Sequence, residues 1–390
     1  MNKYGWLANT YQTVAWVPAD DRAWRRYGTV QVDAVIPPEI ASVVFAIPAE
    51  LAASIGSADA ALARLDVELN GVSPHALDAA SAHLLRAESL SSSRIEGLDL
   101  SARKLAEAEF DPATAKRLAR EVAANVRAMQ HAVELGSGRR RMIAQDVADL
   151  HAVLMADVPA IAPGLFRTVQ NWIGPTNNPN DAVFVPPPPA ELPRLIEDLA
   201  AFTNRTDLSP TIQAAIAHAQ FEGIHPFVDG NGRVGRCLVG VIIRRRCGIG
   251  VFPPVSAGLR RDTSGYFADL RAYQQDSNPW PWARRFAAVT VDACAIAYRL
   301  IVDVAALQSD WRERAGRPRR NSIADRIIEV LPAHTLTDAK DLADLLGVDP
   351  NVARRGLATL EAVGIVREVA GRRRNRVWRV DEMHGLLDSI

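Results

Sequence analysis

Residues 209–246 constrain the fold more than any other part of this chain. Ser209 supplies an N-cap hydroxyl and Pro210 a preset first helical turn. A largely apolar run then continues to Ile224 and predicts a strong helix. A polar, glycine-rich turn follows, and a second helix is expected over 233–246. Any fold adopted by this chain must place two helices on either side of that turn.

The rest of the chain also reads as mainly α. Leu51, Ile55, Leu62, Leu65 and Leu69 recur at three- and four-residue steps until Asn70-Gly71 breaks the run. Further helices are expected over about 73–90, 112–135, 143–160, 190–204, 258–276 and 280–308. The first 40 residues read as an irregular arm with a β-prone run at 30–35. Residues 163–189 are rich in Pro, Gly and Asn, and Ala182-Val183-Phe184-Val185 precedes four prolines. A loop and hairpin is expected there, since proline is confined to strand ends and edges.

Residues 311–320 are charged, carry Gly316 and Pro318, and read as a linker. Beyond them the pattern predicts helices at 323–331, 338–346 and 351–363, then a two-stranded ribbon at 365–369 and 376–380. The expected division is an N-terminal helical region at 1–110, a core at 111–310, the linker, and a small module at 321–390.

Bulk properties exclude several classes. With 48% apolar and 23% charged residues and no net charge, the chain is ordinary globular protein, not basic overall. Cys237, Cys247 and Cys294 have neither metal-ligand spacing nor the look of a disulfide framework, which fits a reducing compartment. No stretch approaches the roughly 20 uncharged apolar residues of a spanning helix, and the N-terminus does not read as a signal peptide. The expectation is a soluble, cytoplasmic protein with no membrane partner.

The glycine-rich turn carries the chemistry. It reads His225-Pro226-Phe227-Val228-Asp229-Gly230-Asn231-Gly232-Arg233-Val234-Gly235-Arg236. Glycines let successive N–H groups converge at a helix N-terminus, which makes an anion cradle. Arg233 and Arg236, three apart, are placed to clamp phosphate oxygens. Asp229 is a hard oxygen ligand suited to Mg²⁺, which keeps few protein ligands. His225 has the pKa range of a general base. Together they point to nucleotide phosphate chemistry.

The twelve residues also match the His-x-Phe-x-Asp-Gly-Asn-Gly-Arg-x-x-Arg signature, and on them the chain resembles the Fic family. That resemblance implies a helical core with a small β-hairpin flap and transfer of AMP from ATP to a Tyr, Thr or Ser hydroxyl of a protein target, the enzyme itself included. His225 would take the hydroxyl proton, Phe227 would anchor the loop, and Asp229 would hold Mg²⁺. Gly230, Asn231, Gly232 and Arg233 would line the phosphate site, and Arg236 would take the γ-phosphate. Pro163-Gly164-Leu165-Phe166-Arg167 and Gln170-Asn171-Trp172-Ile173 resemble the segment leading to the flap, with Val183, Phe184 and Val185 as the flap itself.

Upstream, Ser92 and Glu96 stand four apart before Gly97, so they share a helix face. In Fic proteins such a motif is an inhibitory helix, which implies that Glu96 pairs with Arg236 and denies it to the γ-phosphate. Removal of AMP, with Glu96 aligning a water, stays open beside transfer. The module at 321–390 resembles a winged helix-turn-helix, with Arg354 and Arg355 on its third helix and Arg372, Arg373 and Arg374 at the ribbon turn. DNA binding and protein docking are both open for it. A homo-oligomer is also open. The rival reading is a DNA-binding transcriptional regulator whose core only senses nucleotide.

Overall fold

A computed structural model describes residues 2–3, 5–16, 28–44, 46–69, 72–158, 161–174, 176, 179–369 and 376–390. Arg372, Arg373 and Arg374, like the break at Asn70-Gly71, lie outside the described residues. The chain divides into two compact units. One comprises Met1–Ala63, Arg127–Gly248 and Gly258–Val291, and the other Arg64–Val126, Ile249–Ala257 and Asp292–Ile390.

The first unit is built around α7 (Pro210–Ile224) and α8 (Asn231–Cys247), the two helices that flank the glycine-rich turn. Ser209 caps α7 by accepting from the Ile212 N–H at 3.3 Å, with Pro210 in the first turn. Every residue from Thr211 to Ile224 is buried, which is why this helix is apolar on most of its faces. α8 ends at Gly248, whose φ of +69° is the left-handed geometry a C-cap requires. Around this pair lie α5 (Ala144–Met155), α6 (Leu192–Thr203) and α10 (Thr263–Asp276), with the short α9 (Val255–Arg260) before α10. The single helix expected over 258–276 is therefore broken. Asp262 restarts it as an N-cap, accepting from Gly265 N–H at 3.0 Å.

The N-terminal arm is more regular than its composition suggests. β1 (Thr10–Trp16) and β2 (Val30–Ile36) form an antiparallel pair, running from Thr10 opposite Ile36 to Trp16 opposite Val30. Of two short 3₁₀ turns, Pro179–Asp181 lies within the expected loop at 163–189 and Pro189–Glu191 begins at its end.

In the second unit lie α2 (Pro74–Ile95), α3 (Ala102–Phe110) and most of the C-terminal region, while α1 (Ala49–Leu69), α4 (Arg117–Ser137) and α11 (Trp280–Arg314) run through both segments of sequence. α2 is longer than expected and contains Ser92, with Glu96 as its C-cap. Ala87, Leu90, Leu105, Val122, Val126 and Leu387 pack into one cluster. Leu387 comes from α15 (Asp381–Asp388), a helix the sequence pattern did not announce. Residues 311–314, expected to begin a linker, instead continue α11. Trp311 is fully buried, and its indole N–H donates to Glu382 at 2.5 Å.

The C-terminal elements are α12 (Ile323–Val330), β3 (Leu336–Asp338), α13 (Ala339–Leu346), α14 (Pro350–Ala362), β4 (Arg367–Glu368) and β5 (Val377–Arg379). The ribbon has a third strand, in the order β3-β5-β4. Arg354 and Arg355 are exposed on α14. No described helix is long and apolar enough to cross a membrane.

Candidate active site

The site grows from the end of α7. His225 caps that helix in the left-handed region, with φ 48°, which turns the chain sharply away from the helix axis. A non-glycine residue held there costs about 1–3 kcal/mol, so something must hold it. Arg167, 3% exposed, does so by donating from Nε to the His225 carbonyl at 2.9 Å. The same guanidinium donates to Val169 O at 3.2 Å and to Pro187 O, while the Arg167 N–H donates to Pro226 O at 2.9 Å. One side chain therefore fastens both the turn and the C-terminal end of the expected flap.

The loop folds onto the Asn231 side chain. It donates to Phe227 O and accepts from Phe227 N–H, both at 2.9 Å. Asn171 adds a second donation to Phe227 O at 3.3 Å. Phe227 is fully buried and stacks on His151, with ring centroids 3.7 Å apart and planes within 2°. His151 bridges further, accepting from Gly164 N–H at 2.9 Å and lying 3.2 Å from Asp229 O. Gly230, at φ +80°, is packed too closely for a side chain. A Cβ there would meet Met155 Sδ at 3.1 Å and Leu154 at 3.3 Å.

With the loop so held, α8 begins at Asn231 and its first-turn N–H groups have no intrahelical acceptor. Arg233 lies on that turn, 4% exposed, and its Nε and Nη1 have no partner among the described residues. Its Nη2 is 3.8 Å from Asp229 and 3.8 Å from Met155 Sδ. A buried guanidinium with unmet donors beside a helix N-terminus is suited to hold an anion. Arg236, 2% exposed, lies within 3.4 Å of the Tyr266 hydroxyl, which in turn is 2.8 Å from His218 Nε2. The Asp229 carboxylate is largely exposed and accepts from Gly230 N–H at 2.6 Å. A lone exposed carboxylate beside an anion cradle fits Mg²⁺, which draws most of its ligands from phosphate and water.

Burial, with Arg167 nearby, pushes the His225 imidazole from 6.5 down to about 4. It is neutral at physiological pH and so able to accept a proton.

Among the described residues of 163–189, the expected hairpin is represented by one antiparallel bridge, Ile173 to Phe184. Ile173 N–H donates to Phe184 O at 2.8 Å, and Val183 N–H donates to Ile173 O at 2.8 Å. Phe184 and Val185 are buried, and Val183 is exposed. β2 extends this segment, since Val35 N–H donates to Val185 O at 2.9 Å, and Gln275 donates to Val183 O at 2.6 Å.

Thus His225, Asp229, Gly230, Asn231, Gly232, Arg233, Arg236 and the segment at 183–185 all belong to the first unit. Ser92 and Glu96 belong to the second. There Ser92 is buried in α2, and Asn125 pins that helix by donating to Ser89 O and Ser93 Oγ, each at 3.1 Å. Sequence reasoning missed Arg167, His151 and Asn171 as supports, because nothing local marks a residue whose partners lie 56 to 78 positions away.

Residues 142–243 match the model of the Fic/DOC family, and residues 52–134 match that of the Fic/DOC family N-terminal region. Over 139 residues, 35% of this chain, it is 30% identical to the protein adenylyltransferase Fic of Drosophila erecta and 33% identical to that of Drosophila yakuba. The chain spans 26% of the length of these curated relatives. It resembles the crystal structure of a Fic family protein from Desulfovibrio desulfuricans, with a TM-score of 0.55 at 20% identity, covering 86% of this chain and 97% of that one. It also resembles Fic-1 (residues 134–508) from C. elegans, with a TM-score of 0.51 at 22% identity, covering 66% and 74%. At these identities the likeness concerns the fold. Residues 142–243 thus carry a Fic/DOC-family region, and residues 52–134 carry that family's N-terminal region.

Proposed function

We propose that this protein is a Mg²⁺-dependent adenylyltransferase that moves AMP from ATP to a Tyr, Thr or Ser hydroxyl of a protein target. The observation that carries the reading is Arg233, a buried guanidinium with unmet donors at the start of α8, one turn of chain after a neutral His225. The names of the curated relatives support the same activity.

In this reading the target oxygen attacks the α-phosphorus, and the bond from that phosphorus to the bridging oxygen of the β-phosphate breaks. The hydroxyl proton passes to the unprotonated ring nitrogen of His225, and pyrophosphate leaves. Arg233, the first N–H groups of α8 and Arg236 stabilise the charge on the triphosphate. Asp229 would hold the Mg²⁺, which would neutralise phosphate charge. The segment at 183–185 would hold the target by main-chain contacts, with Val183 facing out.

Glu96, four residues after Ser92, is proposed as a brake that withholds Arg236 from the γ-phosphate, as the family motif implies. The same carboxylate could instead align a water for AMP removal, and an AMP-modified target incubated with wild-type protein separates the two. The exposed Arg354 and Arg355 leave DNA or protein docking as the role of the C-terminal module.

Labelled ATP with Mg²⁺ tests the main reading. Glu96→Gly should raise protein-bound AMP, self-modification included, by at least about tenfold, the effect of roughly 1.4 kcal/mol. His225→Ala should abolish it in that background. ATP binding without transfer by Glu96→Gly would overturn the enzyme reading and favour a nucleotide sensor.

A further inference from the structure

Within the first unit, α4 closes at Ser137, α6 at Thr203 and α8 at Cys247. Three arginines in the last turn of α8 tie these ends together. Arg244 donates to Ser137 Oγ at 2.8 Å and to Gly248 O at 3.0 Å. Arg245 donates to Leu135 O and Arg140 O, each at 3.1 Å, and to Asn204 Oδ1 at 2.9 Å. Arg246 donates to Thr206 O at 3.1 Å, to Leu208 O at 2.8 Å and to Gln213 Oε1. Carbonyls at a helix C-terminus carry partial negative charge, which is why guanidinium groups gather there. The bond from Arg245 to Arg140 O also brings a second run, Arg139-Arg140-Arg141, beside the first, across 105 residues of chain. All three residues of that run are exposed.

Carboxylates do not balance this gathering. Asp146 pairs with Arg140, and Asp207 pairs with Arg205 at 2.6 Å. Asp149 accepts from Gln145 at 2.9 Å, and Glu134 lies 3.8 Å from His131. Arg245 and Arg246 donate to carbonyl and amide oxygens, and the guanidinium groups of Arg139 and Arg141 have no partner among the described residues. Burial above all lowers the pKa of Arg245, with Arg140 adding to the fall and Asp146 opposing it. Its Nε–H is buried with no acceptor among the described residues. An unmet charged donor amid surplus arginines calls for an anion. Guanidinium forks suit phosphate, and several of them fixed side by side suit a row of phosphates. A membrane surface would need apolar side chains to insert, and the patch offers Ile143, 54% exposed. A single strand would need aromatic rings for its bases, and no aromatic ring is exposed beside the patch among the described residues. We infer that the arginines of 139–141 and 244–246 form a docking surface for the phosphate backbone of a nucleic-acid duplex, whatever its base sequence.

The test uses the full chain, with short labelled DNA and RNA duplexes of mixed sequence followed by fluorescence anisotropy over a range of salt. Affinity should fall linearly with salt on logarithmic axes, by about 0.9 in slope for each phosphate neutralised. Arg139→Gln with Arg141→Gln should weaken binding about tenfold or more and reduce that slope by about two. The same loss should appear in an Arg354→Gln, Arg355→Gln background, which sets aside the C-terminal module. Far-UV circular dichroism and melting should stay at wild-type values, because both side chains are exposed and unpartnered. If the glutamine pair melts early, Arg139→Lys with Arg141→Lys decides, since it keeps the charges and should keep the slope. Absence of duplex binding at low salt would overturn the inference. So would binding indifferent to Arg139 and Arg141, a loss seen only with Arg354 and Arg355, or a preference for phosphatidylserine vesicles or a poly-glutamate peptide over either duplex.

Discussion

Arg167 illustrates how much of the site rests on one side chain. Three carbonyls, those of His225, Val169 and Pro187, accept from its guanidinium. Burial lowers its pKa to about 10, so it stays charged at neutral pH. Arg167→Ala should cost about 2–4 kcal/mol in denaturant unfolding, because it leaves buried carbonyls unpaired. It should also lower AMP transfer by tenfold or more. Lysine cannot reproduce a planar fork with three acceptors, so Arg167→Lys should rescue little. Full activity in Arg167→Ala would remove its claim to hold the turn. For His225 the consequence is a shifted pH profile. Its pKa near 4 leaves the base unprotonated well below pH 6.5, so kcat/KM should stay level through pH 6 and fall only towards pH 4. A fall centred at 6.5 would show that the ring is solvated in the working enzyme. None of this was legible from the twelve-residue motif, which identified His225 and the arginines by type but not by what fixes them.

The elements themselves were partly legible. α7 and α8 follow the pattern because their signals are local: Ser209-Pro210 at one start, and left-handed glycines at Gly230 and Gly248. β3 and α15 were missed, since three- and eight-residue elements carry too little periodicity and exist through what they pair with or bury. The close fit of α7 to α8 depends on Gly235, a position the motif leaves open. A Cβ there would meet His218 Nδ1 at 3.0 Å, and Glu222 Oε1 and Phe221 each at 3.1 Å. Gly235→Ala gains helix propensity worth about 1 kcal/mol, yet the contacts are with packed, buried groups. We expect net destabilisation of about 1–3 kcal/mol, read as a lower denaturation midpoint with an unchanged slope. A more stable Gly235→Ala protein would mean that the two helices can part freely.

At the scale of the molecule, several histidines are buried in neutral form. Burial takes His83 and His218 down to about 3, and His151 to about 4, from the ordinary 6.5. In the unfolded chain they protonate below pH 6.5, whereas in the folded protein they do not until near pH 3–4. The unfolded state thus binds more protons in that window, and stability must fall as pH drops. Each fully buried ring contributes up to about 1.4 kcal/mol per pH unit. Urea unfolding from pH 8 to 5 should show a level region above about 6.5 and a decline below it, and a flat profile would sink the assignment of neutral buried rings. His83, 249 residues from its acceptor Pro332 O, could not have been singled out from its neighbours in the chain.

By itself the sequence determined the helical character, the position of the turn and the kinds of group gathered there. Those depend on caps, glycine conformations and spacings that act over a few residues. Only the tertiary structure decided that Arg167 closes the turn, that His151 lies under Phe227 and that β2 extends the segment at 183–185. Such pairings join groups far apart along the chain, and they are selected by burial and by the need to satisfy polar atoms once water is excluded.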